Sequence, residues 1–168
     1  TVRAYEKIVY VKTPVDTTYQ QMNIYIPEAY FNEGSINGYT AETAPVFFPN
    51  KIGGYMPALP ATTRDQAMRM RPQGNPPGTG SNTERPTTVV LALSKGYVVA
   101  SAGARGRTTK DNNGTYTGKA PAGIVDLKAA IRYLKFNDKK MPGDAGRIIT
   151  NGTSAGGARP RSARGRRQ

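Results

Sequence analysis

Gly146 to Ala158 reads GRIITNGTSAGGA, and this stretch decides the fold. Arg147 to Thr150 is a short β-branched run of the kind that forms a strand. Asn151-Gly152 turns sharply out of it, and Gly152-Thr153-Ser154-Ala155-Gly156 matches G-x-S-x-G. The pattern carries meaning when a strand precedes it and a helix follows. A serine nucleophile must then project from a tight, strained turn, so the residues two before and two after it must be small. Gly152 and Gly156 meet that need as elbow residues, and Ser154 is the candidate nucleophile. Ala155 offers its backbone N–H to a developing oxyanion, and the N-terminal end of the following helix adds favourable electrostatics. Alone, the pentapeptide would be a Gly/Ser-rich turn; the strand before it and the order of elements upstream favour the nucleophile.

Working outward, Ala120 to Asn137 is the clearest helix in the chain. Ile124, Leu127, Ile131 and Leu134 recur at spacings of three and four and share one face. Asp126, Lys128, Arg132 and Lys135 fall on the rest, which gives Asp126 and Arg132 a solvated or structural role, linking the helix to nearby loops. Thr88 to Lys95 is a short helix ended by Gly96, and Tyr97 to Ala100 a strand of the buried type. Pro45 to Phe48 is a short continuous apolar run suited to a strand covered on both faces. Val2 to Val11 and Gln21 to Ile26 read as strands joined in an antiparallel hairpin or meander. Strands alternating with helices predict an α/β fold with a largely parallel sheet.

Two further groups lie after strands whose C-terminal ends form the ligand-binding edge of such sheets. Gly53-Gly54 follows PVFF, and a glycine pair there lets backbone N–H groups approach a ligand with no side chain in the way. These glycines are the candidate second donors of an oxyanion hole. Arg105 and Arg107 follow the strand at Tyr97 to Ala100 and are candidates for a place near the substrate, with a solvated loop as the alternative. Residues 55–86 form a loop-rich insertion holding six prolines, with GNPPGTGSN in its middle.

Composition narrows the chemistry. The 168 residues contain no His and no Cys, which excludes a thiol nucleophile, a disulfide framework and a Ser-His-Asp triad within this chain. No metal or cofactor is expected. The net charge of +13 first suggests an anionic partner. Five of those charges are arginines among residues 159–168, RPRSARGRRQ, which leaves +8 for residues 1–158. No run of 18 apolar residues is long enough for a transmembrane helix. TVRAYEKIVYVKT has no signal-peptide core, and neither compartment nor oligomeric state is indicated.

With these residues in view, the chain resembles the N-terminal half of α/β-hydrolase serine esterases. PVFFPNKIGGYMP, LSKGYVVASAGARGR, GKAPAGIVDLKAAIRYLK and GRIITNGTSAGGA look most like bacterial tannases of the subtype-B kind and their feruloyl-esterase-like relatives. The resemblance implies ester hydrolysis through an acyl-enzyme, in tannases of galloyl and related phenolic esters. It implies Ser154 as nucleophile and Gly53 or Gly54 with Ala155 as oxyanion hole. It also implies an acid and a histidine later in sequence, in the order Ser, Asp, His.

The chain departs from that pattern after Ala158. Arg159-Pro160 stands where the elbow helix should continue, and Pro160 opposes a second turn. The expectation is therefore an incomplete α/β-hydrolase domain over residues 1–158, inactive alone. Residues 159–168 are expected to be a disordered basic tail, from a shifted reading frame or a misplaced gene end. Two other readings stand beside this one. One is a basic protein that binds nucleic acid or another anion through the Arg-rich tail, although no aromatic interleaving or fold motif points to a specific nucleic acid. The other is a catalytically dead hydrolase-fold module.

Overall fold

The computed structural model describes residues 1–64 and 86–152. Among the described residues three strands are followed by an alternation of helix and strand: β1 (Val2–Val9), β2 (Gln21–Pro27), β3 (Pro45–Pro49), α1 (Thr88–Ser94), β4 (Val98–Ala102), α2 (Ala122–Phe136) and β5 (Asp144–Asn151). They form one sheet of order β1-β2-β4-β3-β5. β1 and β2 are antiparallel, as are β2 and β4. The other two pairs, β3 with β4 and β3 with β5, are parallel. The mixed sheet with helices on both faces is the α/β-hydrolase-type architecture that the sequence predicts, in incomplete form.

Side-chain alternation along the strands sorts the core into two layers. Val46, Phe48, Val98, Ala100 and Ile148 face α2 and meet Leu127, Ala130, Ile131 and Leu134. Phe47, Val99 and Tyr25 point the other way and meet Val89, Ala92 and Leu93 of α1. Every residue of β3 and β4 is buried, as expected of parallel strands covered on both faces. β1 is one edge: its residues are almost all exposed, and Lys7, at φ 59°, interrupts its register between Tyr5 and Ile8. Such an irregularity makes the edge a poor template for another strand.

Local chemistry sets the boundaries. Thr87 caps α1, its hydroxyl accepting the Val90 N–H at 3.2 Å. β4 runs two residues beyond the predicted Ala100, because the Ser101 hydroxyl is satisfied inside the sheet. It accepts the Ala61 N–H at 2.8 Å and donates to the Pro49 carbonyl at 3.3 Å. β5 starts three residues earlier than predicted, since the Asp144 N–H is already bonded to the Ala44 carbonyl at 2.7 Å. Of the two roles read for Asp126, solvated or structural, the structure favours the structural one: only 1% of it is exposed.

Candidate active site

Parallel pairing brings the C-terminal ends of β3, β4 and β5 to one edge of the sheet. Pro49 is in register with Asn151, and the Asn50 N–H donates to the Asn151 carbonyl at 2.8 Å. Gly152 therefore leaves the sheet directly beside the start of the loop that carries Gly53 and Gly54. Ser154, Ala155 and Gly156 lie outside the described residues, as do residues 159–168.

The glycine pair sits in a tight turn. The Met56 N–H returns to the Gly53 carbonyl at 3.0 Å, and Gly54 and Tyr55 both have left-handed backbones, at φ 57° and 59°. Two successive positive φ values characterise a type I′ turn, for which glycine is suited and tyrosine is not. Both glycines are exposed, and a Cβ on Gly53 would meet nothing within 4 Å. Among the described residues nothing crowds the Gly53 side of the turn.

The loop after β4 is laced to this turn. Ala58 and Ala104 exchange backbone hydrogen bonds of 3.1 and 3.0 Å, and the Arg107 N–H donates to the Tyr55 carbonyl at 2.9 Å. Gly106 lies so close that a Cβ there would fall 2.1 Å from the Pro57 nitrogen. Only glycine permits that approach.

The two arginines at this edge have different surroundings. Arg107 is exposed beside Tyr55. Arg105 is 8% exposed and grips Asp126, with Nη2 donating to Oδ1 at 2.8 Å and Nε to Oδ2 at 3.0 Å. The Arg105 backbone N–H adds a bond to Oδ2 at 2.9 Å, and Nη1 reaches the Thr117 carbonyl at 3.1 Å. Gln20 Nε2 donates to Asp126 Oδ1 at 2.8 Å. The hydrogen bond to Asp126 raises the Arg105 pKa above its ordinary value. Nearby, the Tyr10 hydroxyl donates to the Gly103 carbonyl at 2.8 Å. Burial, reinforced by the Asp126 charge, pushes the Tyr10 pKa up.

Sequence reasoning gave Asp126 a linking role and missed its partners. One signal was present: Gly123 and Ala130, three before and four after it, are small and buried on the same helical stripe. Small neighbours allow a backbone to approach an acid closely enough to bond it. Among the described residues no group of three or more acids, His or Cys is placed to hold a metal ion. No helix among them is long and apolar enough to cross a membrane.

Residues 78–159 match the protein family described as BD-FAE. No curated protein gives a significant match. Among solved structures, the tannase of Fusobacterium nucleatum is 56% identical, with a TM-score of 0.81 over 94% of this chain and 30% of its own. The Lactobacillus plantarum tannase is 43% identical, with a TM-score of 0.79 over 94% of this chain and 30% of its own. A tannin acyl hydrolase in complex with ethyl gallate is 45% identical, with a TM-score of 0.74 over 94% and 32% respectively. The chain thus spans about a third of the length of these relatives. Its fold is that of an α/β-hydrolase. Within that fold it is similar to the tannases of these two bacteria, at 43–56% identity over the matched residues.

Proposed function

We propose that this chain carries the nucleophile and oxyanion-hole portion of a tannase-like serine esterase. The carrying observation is the shared sheet edge, where Asn151-Gly152 emerges beside the loop that leads to the exposed Gly53-Gly54 turn. In this reading Ser154 Oγ attacks the ester carbonyl carbon and gives its proton to a base. The N–H groups of Ala155 and of Gly53 or Gly54 stabilise the oxyanion. Collapse expels the alcohol and leaves an acyl-Ser154, which water then hydrolyses. Gly152 and Gly156 give the elbow room, and Arg107, exposed beside Tyr55, is the arginine offered to the substrate. Arg105 serves the site through its loop. The substrate class follows the relatives: esters of gallic or a similar phenolic acid.

These 168 residues hold no His, so within them Ser154 has no imidazole base. The 168-residue polypeptide alone is therefore inactive, and residues 1–158 are the hydrolase part. Replacing the matching segment of the Fusobacterium nucleatum tannase with residues 1–158 would supply the downstream acid and histidine that the resemblance implies. The graft should hydrolyse a gallate ester, and Ser154→Ala should lower kcat by on the order of 10⁴-fold or more. The isolated polypeptide should show no turnover above background on p-nitrophenyl or gallate esters. A graft as active with Ser154→Ala as without it would overturn the assignment.

A further inference from the structure

The Asp126 carboxylate accepts four hydrogen bonds in a nearly dry site, three from Arg105 and one from Gln20. A buried ion pair is a weak source of stability, because desolvation offsets much of the attraction, and well-packed apolar residues often serve as well. What this pair adds is direction. The fork fixes the Arg105 side chain, and the third Arg105 contact, from its N–H to Oδ2, fixes its backbone as well. Two residues on, the Arg107 N–H holds the Tyr55 carbonyl, and one residue before, Ala104 pairs with Ala58. Tyr55 is the second left-handed residue of the turn that begins at Gly53. An unbroken chain of short contacts thus runs from α2 through the loop after β4 to the glycine turn.

We propose that Asp126 is a positioning residue for the oxyanion turn at Gly53-Gly54, acting through Arg105. The proposal rests on the reading of those glycines given above. The backbone of Tyr55 adds support. A bulky residue at φ 59° is strained, and such strain persists only where the surroundings over-determine the backbone. The Arg107 N–H, two residues on from Arg105, holds the Tyr55 carbonyl at 2.9 Å.

The test separates positioning from bulk stability. In the 168-residue polypeptide, the double variant Arg105→Met with Asp126→Leu replaces the pair by apolar groups. Arg105→Lys keeps the charge and loses the fork. Amide hydrogen exchange is followed by NMR at Arg107, Ala58 and Ala104, with Val46 to Phe48 as the core reference. Both variants should keep the core protected while exchange at Arg107 and Ala58 rises about tenfold or more. Unchanged protection at Arg107 and Ala58 in whichever variant folds would overturn the proposal. In the tannase graft, the same variants should lower kcat about tenfold or more with KM nearly unchanged. An inactive parent graft would sink the esterase reading while the exchange result still judged the positioning role.

Discussion

Gly106 and Tyr10 show how single atoms set the edge where the site is built. A methyl group on Gly106 would meet the Pro57 nitrogen at 2.1 Å and the Met56 carbonyl carbon at 2.2 Å, both backbone. Neither can step aside without separating the two loops. Gly106→Ala should cost about 1–3 kcal/mol as an overpacked contact, measured by urea unfolding. The loss should come with faster amide exchange at Arg107. Tyr10 is 5% exposed and is the hydroxyl that meets the Gly103 carbonyl. Tyr10→Phe should destabilise the fold by about 1–2 kcal/mol, the net value of a buried hydrogen bond plus an acceptor left unpaired. A change below about 0.3 kcal/mol would mean that water reaches Gly103. At this scale the sequence is only partly legible. G-x-S-x-G and the glycine pair can be read because their backbone demands are local. The partnership of Asp126 with Arg105 and Gln20 cannot, because it joins residues 21 and 106 positions apart.

Among the elements, α2 was the most legible, since its apolar residues repeat over four turns. Leu134 is fully buried against the sheet, and Leu127 is 1% exposed. Leu134→Ala should cost about 2–5 kcal/mol in thermal or urea unfolding. Phe136→Ala, at an 81% exposed position on the same helix, should cost less than about 0.5 kcal/mol. The contrast tests the assigned face. β3 and β4 were legible as buried apolar runs, and their parallel pairing followed from the alternation of strands with helices. The ends of elements were not, because tertiary bonds set them. The predicted β4 stops at Ala100, short of Ser101, whose hydroxyl finds Ala61 and Pro49, and the predicted β5 starts at Arg147, past Asp144, whose N–H Ala44 captures. The order β1-β2-β4-β3-β5 is likewise invisible in any local window.

For the whole molecule, charge and site come together. The carboxyl of Asp144 is held below its usual range by its hydrogen bond to Arg147, and that of Glu28 by its hydrogen bond to Arg3. Carboxylates with lowered folded pKa stabilise the fold above their unfolded values of about 4, and that contribution fades as pH falls through the folded values. Tyr10 works with the opposite sign. Its raised pKa stabilises the fold below the unfolded value of about 10, and that contribution is lost as pH rises further. Melting temperature should therefore be flat between about pH 5 and 9 and fall on both sides. Asp144→Asn should soften the acid limb and Tyr10→Phe the alkaline one; limbs unmoved by either variant would assign them to other groups. The sheet that these charges surround brings two loops to one edge, and the account stands on Ser154 arriving there as a nucleophile. The most direct measurement is covalent capture: the graft of residues 1–158 in the Fusobacterium nucleatum tannase, treated with a fluorophosphonate and mapped by peptide mass spectrometry. The account predicts a single phosphonyl adduct on Ser154, formed in step with loss of esterase activity. An adduct on another residue, or loss of activity with Ser154 unmodified, would contradict it.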